Sequence, residues 1–274
     1  MRITVAAIQM NSRDDKAANI AAAETGIAEA AERGASLVAL PEVWTYLGPA
    51  RGIRPSAEPI PGPLTDRLAA LAQRHGITLL AGSFYEAPAG AADDRVYNTS
   101  VLFKSNGEIA AIYRKLHLFD AAPLDGDTPY RESDDVAAGN EIVTATVSEV
   151  RLGLAICYDL RFPELFRALA VHGAEMLMLP SAFTRETGVA HWEPLVRARS
   201  IENGCFVVAP GQTGPRPPDR YTWGHSMIVD PWGTILAEAG ETPEVITAEI
   251  DLDEVTRARQ RIPALANRRR DIFG

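Results

Sequence analysis

Cysteine is scarce in this sequence: Cys157 and Cys205 are the only two among 274 residues. A pair so far apart in a chain of this size is no disulfide framework. Long apolar runs are missing as well, so no membrane-spanning helix and no membrane partner is expected. Residues 1–10 alternate like a strand and lack the apolar region of a signal peptide, which makes a cytoplasmic protein the expectation. Neither G-x-G-x-x-G nor G-x-x-x-x-G-K-[ST] is present, so no nucleotide fingerprint points to such a cofactor. Positive charge is also in deficit, with 27 Lys and Arg against 36 Asp and Glu, a net charge of −9. The basic residues form no stripe, and Arg268-Arg269-Arg270 reads as a solvated or ion-paired tail, so a nucleic-acid surface is excluded. No His, Cys and Asp cluster stands at metal-ligand spacing, and no metal or other cofactor is expected.

What is present is an ordinary globular composition, 46% hydrophobic and 23% charged, with strand and helix patterns alternating in both halves. Strands are expected over 3–10, 36–40, 77–85, 141–147, 151–156, 175–179, 205–209 and 245–250. Helices are expected from Asp14 or Asp15 to about Arg33, and over 64–75, 162–172, 189–203 and 251–261. Hairpins interrupt the alternation at 96–114, around Ser105-Asn106-Gly107, and at 224–237. Long irregular stretches fill 43–62, 115–139 and 210–222; loops of that length in a compact fold often carry function. Strands, helices and hairpins mixed in this way predict two sheets with helices outside. No repeat and no linker divides the chain, so one domain over 1–274 is expected, with a tail from about 262.

One stretch changes character abruptly. Residues 152–156 are mostly apolar, and Cys157 follows where that strand runs out into Tyr158-Asp159-Leu160-Arg161. Phe162-Pro163-Glu164 then opens a helical pattern, with Pro at a first-turn position and Glu toward the positive end of the helix dipole. A thiol on such a turn is expected to have a lowered pKa and to face free backbone N–H groups suited to an oxyanion. Glu42 and Lys115 share its setting, each at the end of an apolar strand, where the ligand crevice of an open α/β sheet lies. Each alone has an ordinary explanation: an inert buried cysteine, a surface glutamate, a solvated lysine. Together their chemistry is complementary, because the carboxylate takes the thiol proton and the ammonium steadies both thiolate and oxyanion.

Leu40-Pro41-Glu42, Tyr113-Arg114-Lys115-Leu116-His117-Leu118-Phe119 and Cys157-Tyr158-Asp159-Leu160-Arg161-Phe162-Pro163-Glu164 stand in one order along the chain. Carrying these three motifs, the sequence resembles the nitrilase superfamily of carbon–nitrogen hydrolases over essentially its whole length. Further matches are Pro180-Ser181-Ala182-Phe183, Thr187-Gly188, Ala190-His191-Trp192-Glu193 and the run from Gly224 to Gly233. The resemblance implies an α/β fold, a four-layer α-β-β-α sandwich of two mixed sheets, paired into homodimers or larger homo-oligomers. It implies a catalytic Glu42, Lys115 and Cys157, with a second glutamate in the loop after the lysine, for which Glu132 in Tyr130-Arg131-Glu132-Ser133 is placed. The branch it looks most like holds deaminated-glutathione amidases and omega-amidases.

That branch implies hydrolysis of small linear amides bearing a carboxylate, through a cysteine thioester and with release of ammonia. Lys115 and the backbone N–H of Tyr158 would hold the oxyanion. Arg161, Thr187 and Phe183 match the positions that hold the substrate carboxylate, an arginine fork being suited to it. The ordinary alternative for Arg161 is an internal ion pair with Asp159 or Glu164. Tyr46 is a further candidate in its long loop, where a packing aromatic is the ordinary reading. His191, Trp192 and His225 are read as orienting residues and Cys205 as core. The loop 43–48 and the insertion 214–219 depart from the branch, and both are expected to border the substrate. Two other functions stand beside the amidase: a nitrilase or N-carbamoyl amino acid hydrolase of the same superfamily, and a non-enzymatic scaffold that keeps the fold.

Overall fold

The protein is described by a computed structural model covering residues 1–87, 94–122, 129–216 and 220–273. In chain order its first elements are β1 (Arg2–Gln9), α1 (Lys16–Glu32), β2 (Leu37–Ala39), α2 (Ile53–Ser56), α3 (Pro63–His75), β3 (Thr78–Leu80), β4 (Phe84–Glu86), β5 (Val96–Phe103) and β6 (Ile109–Arg114). Then come β7 (Asp120–Ala121), β8 (Tyr130–Arg131), β9 (Val136–Ala137), β10 (Thr144–Val147), β11 (Val150–Leu154), α4 (Pro163–Val171), β12 (Met176–Met178), α5 (Arg185–Asn203) and β13 (Phe206–Ala209). The last are β14 (Thr213–Arg216), β15 (Arg220–Trp223), β16 (Met227–Val229), β17 (Ile235–Glu238), β18 (Glu244–Asp251), α6 (Asp253–Arg261) and α7 (Arg270–Phe273).

The first sheet runs β18-β1-β2-β3-β5-β4, with β6 and β9 also paired to β5; the second runs β10-β11-β12-β13-β16-β17. Each contains three neighbouring parallel strands, β1-β2-β3 and β11-β12-β13, flanked by antiparallel ones. Strand periodicity sets the layers. Val5 and Ala7 of β1 join the core shared with β11, β12, β13 and β16, while Ala6 and Ile8 pack with Ile27 of α1 and Leu68 of α3. Helices α4 and α5 contribute Leu165, Phe166, Leu169, Trp192 and Val196 to the core of the second sheet. The layers are therefore helix, sheet, sheet, helix, and the strands are apolar on both faces as a doubly covered sheet requires. Burying one such Leu or Phe side chain stabilises the fold by about 1.5–3 kcal/mol.

Several elements depart from the sequence-based expectation. The strand expected over 77–85 is two strands, β3 and β4, separated at Gly82. There φ is +56° and an added Cβ would meet the Pro41 carbonyl oxygen at 2.0 Å, so only glycine lets this chain pass the segment that carries Glu42. The helix expected over 189–203 begins earlier, at Arg185. The irregular 210–222 contains the hairpin β14–β15, and 43–62 contains α2. Asp15 is the residue that caps α1, accepting from the Ala18 N–H at 3.0 Å. Parts of three expected loops, including Pro123, Gly126 and the Pro217-Pro218-Asp219 end of the 214–219 insertion, lie outside the described residues. Among the described residues no helix is long and apolar enough to cross a membrane.

Candidate active site

Glu42 lies just past the end of β2, Lys115 directly after β6, and Cys157 at the start of a 3-10 turn (Cys157–Arg161) after β11. All three are buried, Glu42 4%, Lys115 2% and Cys157 8% exposed, so two ionisable side chains and a thiol lie largely withdrawn from bulk water. Charges so placed demand partners. Lys115 Nζ donates to Glu42 Oε1 at 2.9 Å and to Glu132 Oε2 at 2.9 Å and Oε1 at 3.1 Å. The second Glu42 oxygen, Oε2, accepts from the Ala182 N–H at 2.8 Å. Glu132 Oε2 also accepts from the Phe119 N–H at 2.6 Å.

Two carboxyl groups converge on one ammonium. This sets the state of both other groups. Burial alone would discharge Lys115, but Glu132, Glu42 and Cys157 hold its pKa well above the usual lysine range. Burial pushes the Cys157 thiol well up, Glu42 adds to the rise, and Lys115 opposes it. The lowered thiol pKa expected from a helix start is therefore corrected: the thiol rests protonated, beside a carboxylate able to take its proton.

Backbone conformation is unusual where the groups are presented. Cys157 has φ +46°, and Val43, next to Glu42, has φ +42°. Both are left-handed, a conformation that disfavours a β-branched residue strongly, and such positions concentrate at functional sites. Cys157 N–H donates to the Pro180 carbonyl at 3.0 Å, which ties the turn to the end of β12. Asp159, fully buried, holds the turn from inside. Its Oδ2 accepts from Tyr113 Oη at 2.6 Å and the Ile156 N–H at 2.8 Å; its Oδ1 meets the His117 N–H at 3.1 Å and His117 Nδ1 at 2.7 Å. The segment after Lys115 and the turn of Cys157 are thus joined through one carboxylate.

A small pocket opens over Cys157, walled by Phe119, Tyr158, Arg161, Phe183, Thr184 and Thr187. Arg161 lies over the Phe183 ring at 5.2 Å, with Nη1 3.3 Å from His191 Nδ1. Asp159 is engaged elsewhere, and Arg161 has no carboxylate partner among the described residues. Thr187 sits in the first turn of α5, its hydroxyl 2.7 Å from that of Thr184. Tyr46 is placed differently, donating its hydroxyl to the Pro49 carbonyl at 2.8 Å within an apolar cluster with Val43, Leu47 and Tyr85. The pocket thus brings Arg161, Phe183 and Thr187 to Cys157, and Tyr46 is not part of its wall. His225 carries a ring stacked on Trp223, and Trp192 Nε1 donates to the His225 carbonyl at 2.6 Å, both supporting loops.

Two polar residues of the site were not singled out from sequence. Asn98 of β5 donates to Glu42 Oε1 at 2.9 Å and to Glu132 Oε1 at 3.2 Å, bridging the two glutamates. Gln212 donates to the Glu42 carbonyl at 3.0 Å and to Ser12 Oγ at 3.0 Å. The available signal for Asn98 was an amide inside the apolar strand Val96–Phe103, which needs a buried partner.

Comparison with known proteins gives this geometry its context. Residues 4–260 match the carbon–nitrogen hydrolase family. The chain is 46% identical over 265 residues to a protein named deaminated glutathione amidase from Synechocystis sp., covering 96% of this chain and 97% of that one. It superimposes on the crystal structure of the C. elegans NitFhit protein with a TM-score of 0.92 and 39% identity, covering all of this chain and 66% of that one. A variant of the amidase from Nesterenkonia sp. AN1, 25% identical with a TM-score of 0.80 over 99% of this chain and 98% of its own, carries an acrylamide adduct on its active-site cysteine. The chain belongs to the carbon–nitrogen hydrolase family, within the nitrilase superfamily.

Proposed function

We propose that the protein is an amidase for small linear amides bearing a carboxylate, acting through a thioester on Cys157. The observation that carries this reading is Lys115 Nζ, shared between Glu42 and Glu132 at 2.9 Å each beside the pocket thiol. Glu42 takes the Cys157 proton, and the thiolate forms a bond to the amide carbon. The developing oxyanion is held by the Lys115 ammonium and by the Tyr158 N–H. Glu42 returns the proton to the nitrogen, the carbon–nitrogen bond breaks, and ammonia leaves. Glu42 then takes a proton from water, whose oxygen attacks the thioester and releases the acid and the thiol. Glu132 keeps Lys115 in place as an ammonium. Arg161, with Thr187 and the Phe183 wall, receives the carboxylate of the acyl part.

The similarity to deaminated glutathione amidase supports this substrate class, as does the cysteine adduct of the Nesterenkonia relative. The test is a release screen over carboxylate-bearing amides, nitriles and ureido acids. The expected result is ammonia release from amides with no carbon dioxide. Turnover of nitriles or ureido acids alone would replace the amidase reading, and no turnover of any class would favour a scaffold.

A further inference from the structure

Strand β5 carries polar side chains on both faces, and each face has its own use. Thr99 donates to Glu86, which also pairs with Arg114 of β6. Thr99 and Arg114 stand opposite one another in the ladder, so Asn98 and Lys115, one step further along, project together from the other face. The Lys115 N–H donates to the Asn98 carbonyl at 2.9 Å, which closes that step. Asn98 is 1% exposed and is not part of the pocket wall.

A carboxyl oxygen has two lone pairs, so the donors on each oxygen show where a proton can still enter. Among the described residues, Glu42 Oε1 accepts from Lys115 Nζ and Asn98 Nδ2, both at 2.9 Å. Glu132 Oε1 accepts from the same two, at 3.1 and 3.2 Å. Glu132 Oε2 accepts from Lys115 Nζ at 2.9 Å and the Phe119 N–H at 2.6 Å. Those three oxygens have both lone pairs taken. Glu42 Oε2 has one donor, the Ala182 N–H at 2.8 Å. Burial holds the Cys157 thiol protonated, and Glu42 adds to this, in part through a hydrogen bond. Lys115 cannot fill the other oxygens alone, because its three N–H groups are already spread over three of them. When one turns to an oxyanion, the Asn98 amide still holds the Oε1 it leaves. The amide is set for its donors: its own Oδ1 is buried with no partner among the described residues.

We propose that Asn98 is a positioning residue for the base: by donating to Oε1 of both glutamates it keeps protons off those atoms, so the Cys157 proton is taken and returned at Glu42 Oε2. The proposal rests on the amidase reading above, in which Glu42 is the base. The other titratable groups around Glu42 are Lys115, Glu132 and Cys157. A fourth is the Tyr85 phenol, opposite Asn98 on β4, which burial holds protonated with Arg216 opposing.

The test is Asn98→Leu, which keeps the shape, removes both donors and leaves the backbone carbonyl that Lys115 uses. A carboxylate that loses a donor takes up a proton more readily. The acid limb of the pH profile of kcat/KM should therefore move up by about one pH unit, the scale of one hydrogen bond to a charged group. On that limb the variant should be about tenfold slower, and most of the loss should disappear at higher pH. KM should stay near wild type, because Asn98 does not line the pocket. Thermal unfolding checks the fold. Asn98→Ser, with a single hydroxyl donor, serves if the leucine variant does not fold, and should show a smaller shift in the same direction. A second readout needs no turnover: the rate at which iodoacetate alkylates Cys157 should show the same shift of its acid limb. A limb that stays in place in both readouts overturns the proposal. So does a loss equal at every pH, which would make Asn98 a structural residue alone. A wild-type protein that cleaves no amide defeats the amidase reading, while the alkylation profile still decides Asn98.

Discussion

The two cysteines sit in surroundings that differ in two respects. Both are buried, and both have a cation beside the sulfur: Lys115 acts on Cys157, and Arg259 Nη2 donates to Cys205 Sγ at 3.0 Å. Burial pushes both thiols up, Cys205 to about 11. Burial and a nearby cation therefore do not mark a nucleophile. Around Cys205 the thiol itself is held: it donates to the Ala174 carbonyl at 3.2 Å, to which Arg259 Nη2 donates as well. Around Cys157 a carboxylate stands ready for the proton, and a pocket gives the sulfur somewhere to react. On the proposed mechanism, reactivity at Cys157 comes from an acceptor and an opening, and not from a low resting pKa.

The largest expected effect comes from swapping the sites. Cys157→Ala should lower kcat by about ten-thousandfold or more, the scale of removing a nucleophile. Cys205→Ala should leave steady-state turnover close to wild type. Comparable losses in both would mean that the distinction between the two environments is false.

Next is the cation beside each thiol. Lys115→Arg keeps the charge, but a planar fork cannot replace a compact ammonium held by two carboxylates. Turnover should fall by on the order of a hundredfold, as for loss of an oxyanion donor. Thermal unfolding of the variant checks that it remains folded, and near-normal kcat would remove Lys115 from the chemistry.

Arg161→Met sharpens what the opening is for. On an amide of a dicarboxylic acid, kcat/KM should drop by the equivalent of about 2–4 kcal/mol, a charged hydrogen-bonded pair in a partly desolvated site. An uncharged amide of equal length should suffer much less. Equal losses on both would show that Arg161 holds the turn through His191 and Phe183 instead.

The smallest effect is on stability. The Cys205 thiol has a folded-state pKa of about 11, above the roughly 8.5 of a free thiol. Its contribution is present in full below the lower value and is lost as pH rises through the higher one, because the unfolded chain ionises first. Urea unfolding of Cys205→Ala against wild type should show that this part of the pH dependence has flattened. A parallel pair of curves would contradict the buried, neutral thiol.

The proposed site was legible in the sequence because its residues sit at strand ends, where an apolar run stops at Glu42, Lys115 or Cys157. The layered fold followed from the alternation of strands and helices and from the family resemblance. What was hidden depended on contacts between distant segments. Asp159 could be weighed only as a local partner of Arg161, whereas it joins Tyr113 and His117, 46 and 42 residues away. The β14–β15 hairpin was hidden by Gly214 and Pro215, residues that argue against a strand in any local reading. The break at Gly82 was hidden because its cause, the Pro41 carbonyl, lies on another strand's end. The thiol pKa was expected to be low because a helix start was visible in sequence and the depth of burial was not.

The central claim is that Cys157 carries the acyl group during turnover. Acid-quench the wild-type enzyme during hydrolysis of a dicarboxylic acid monoamide, digest it, and measure peptide masses. The expected result is the acyl mass on the peptide containing Cys157, absent from Cys157→Ala protein and absent from the Cys205 peptide. An acyl mass on Cys205, or full turnover by Cys157→Ala with no adduct, would contradict it.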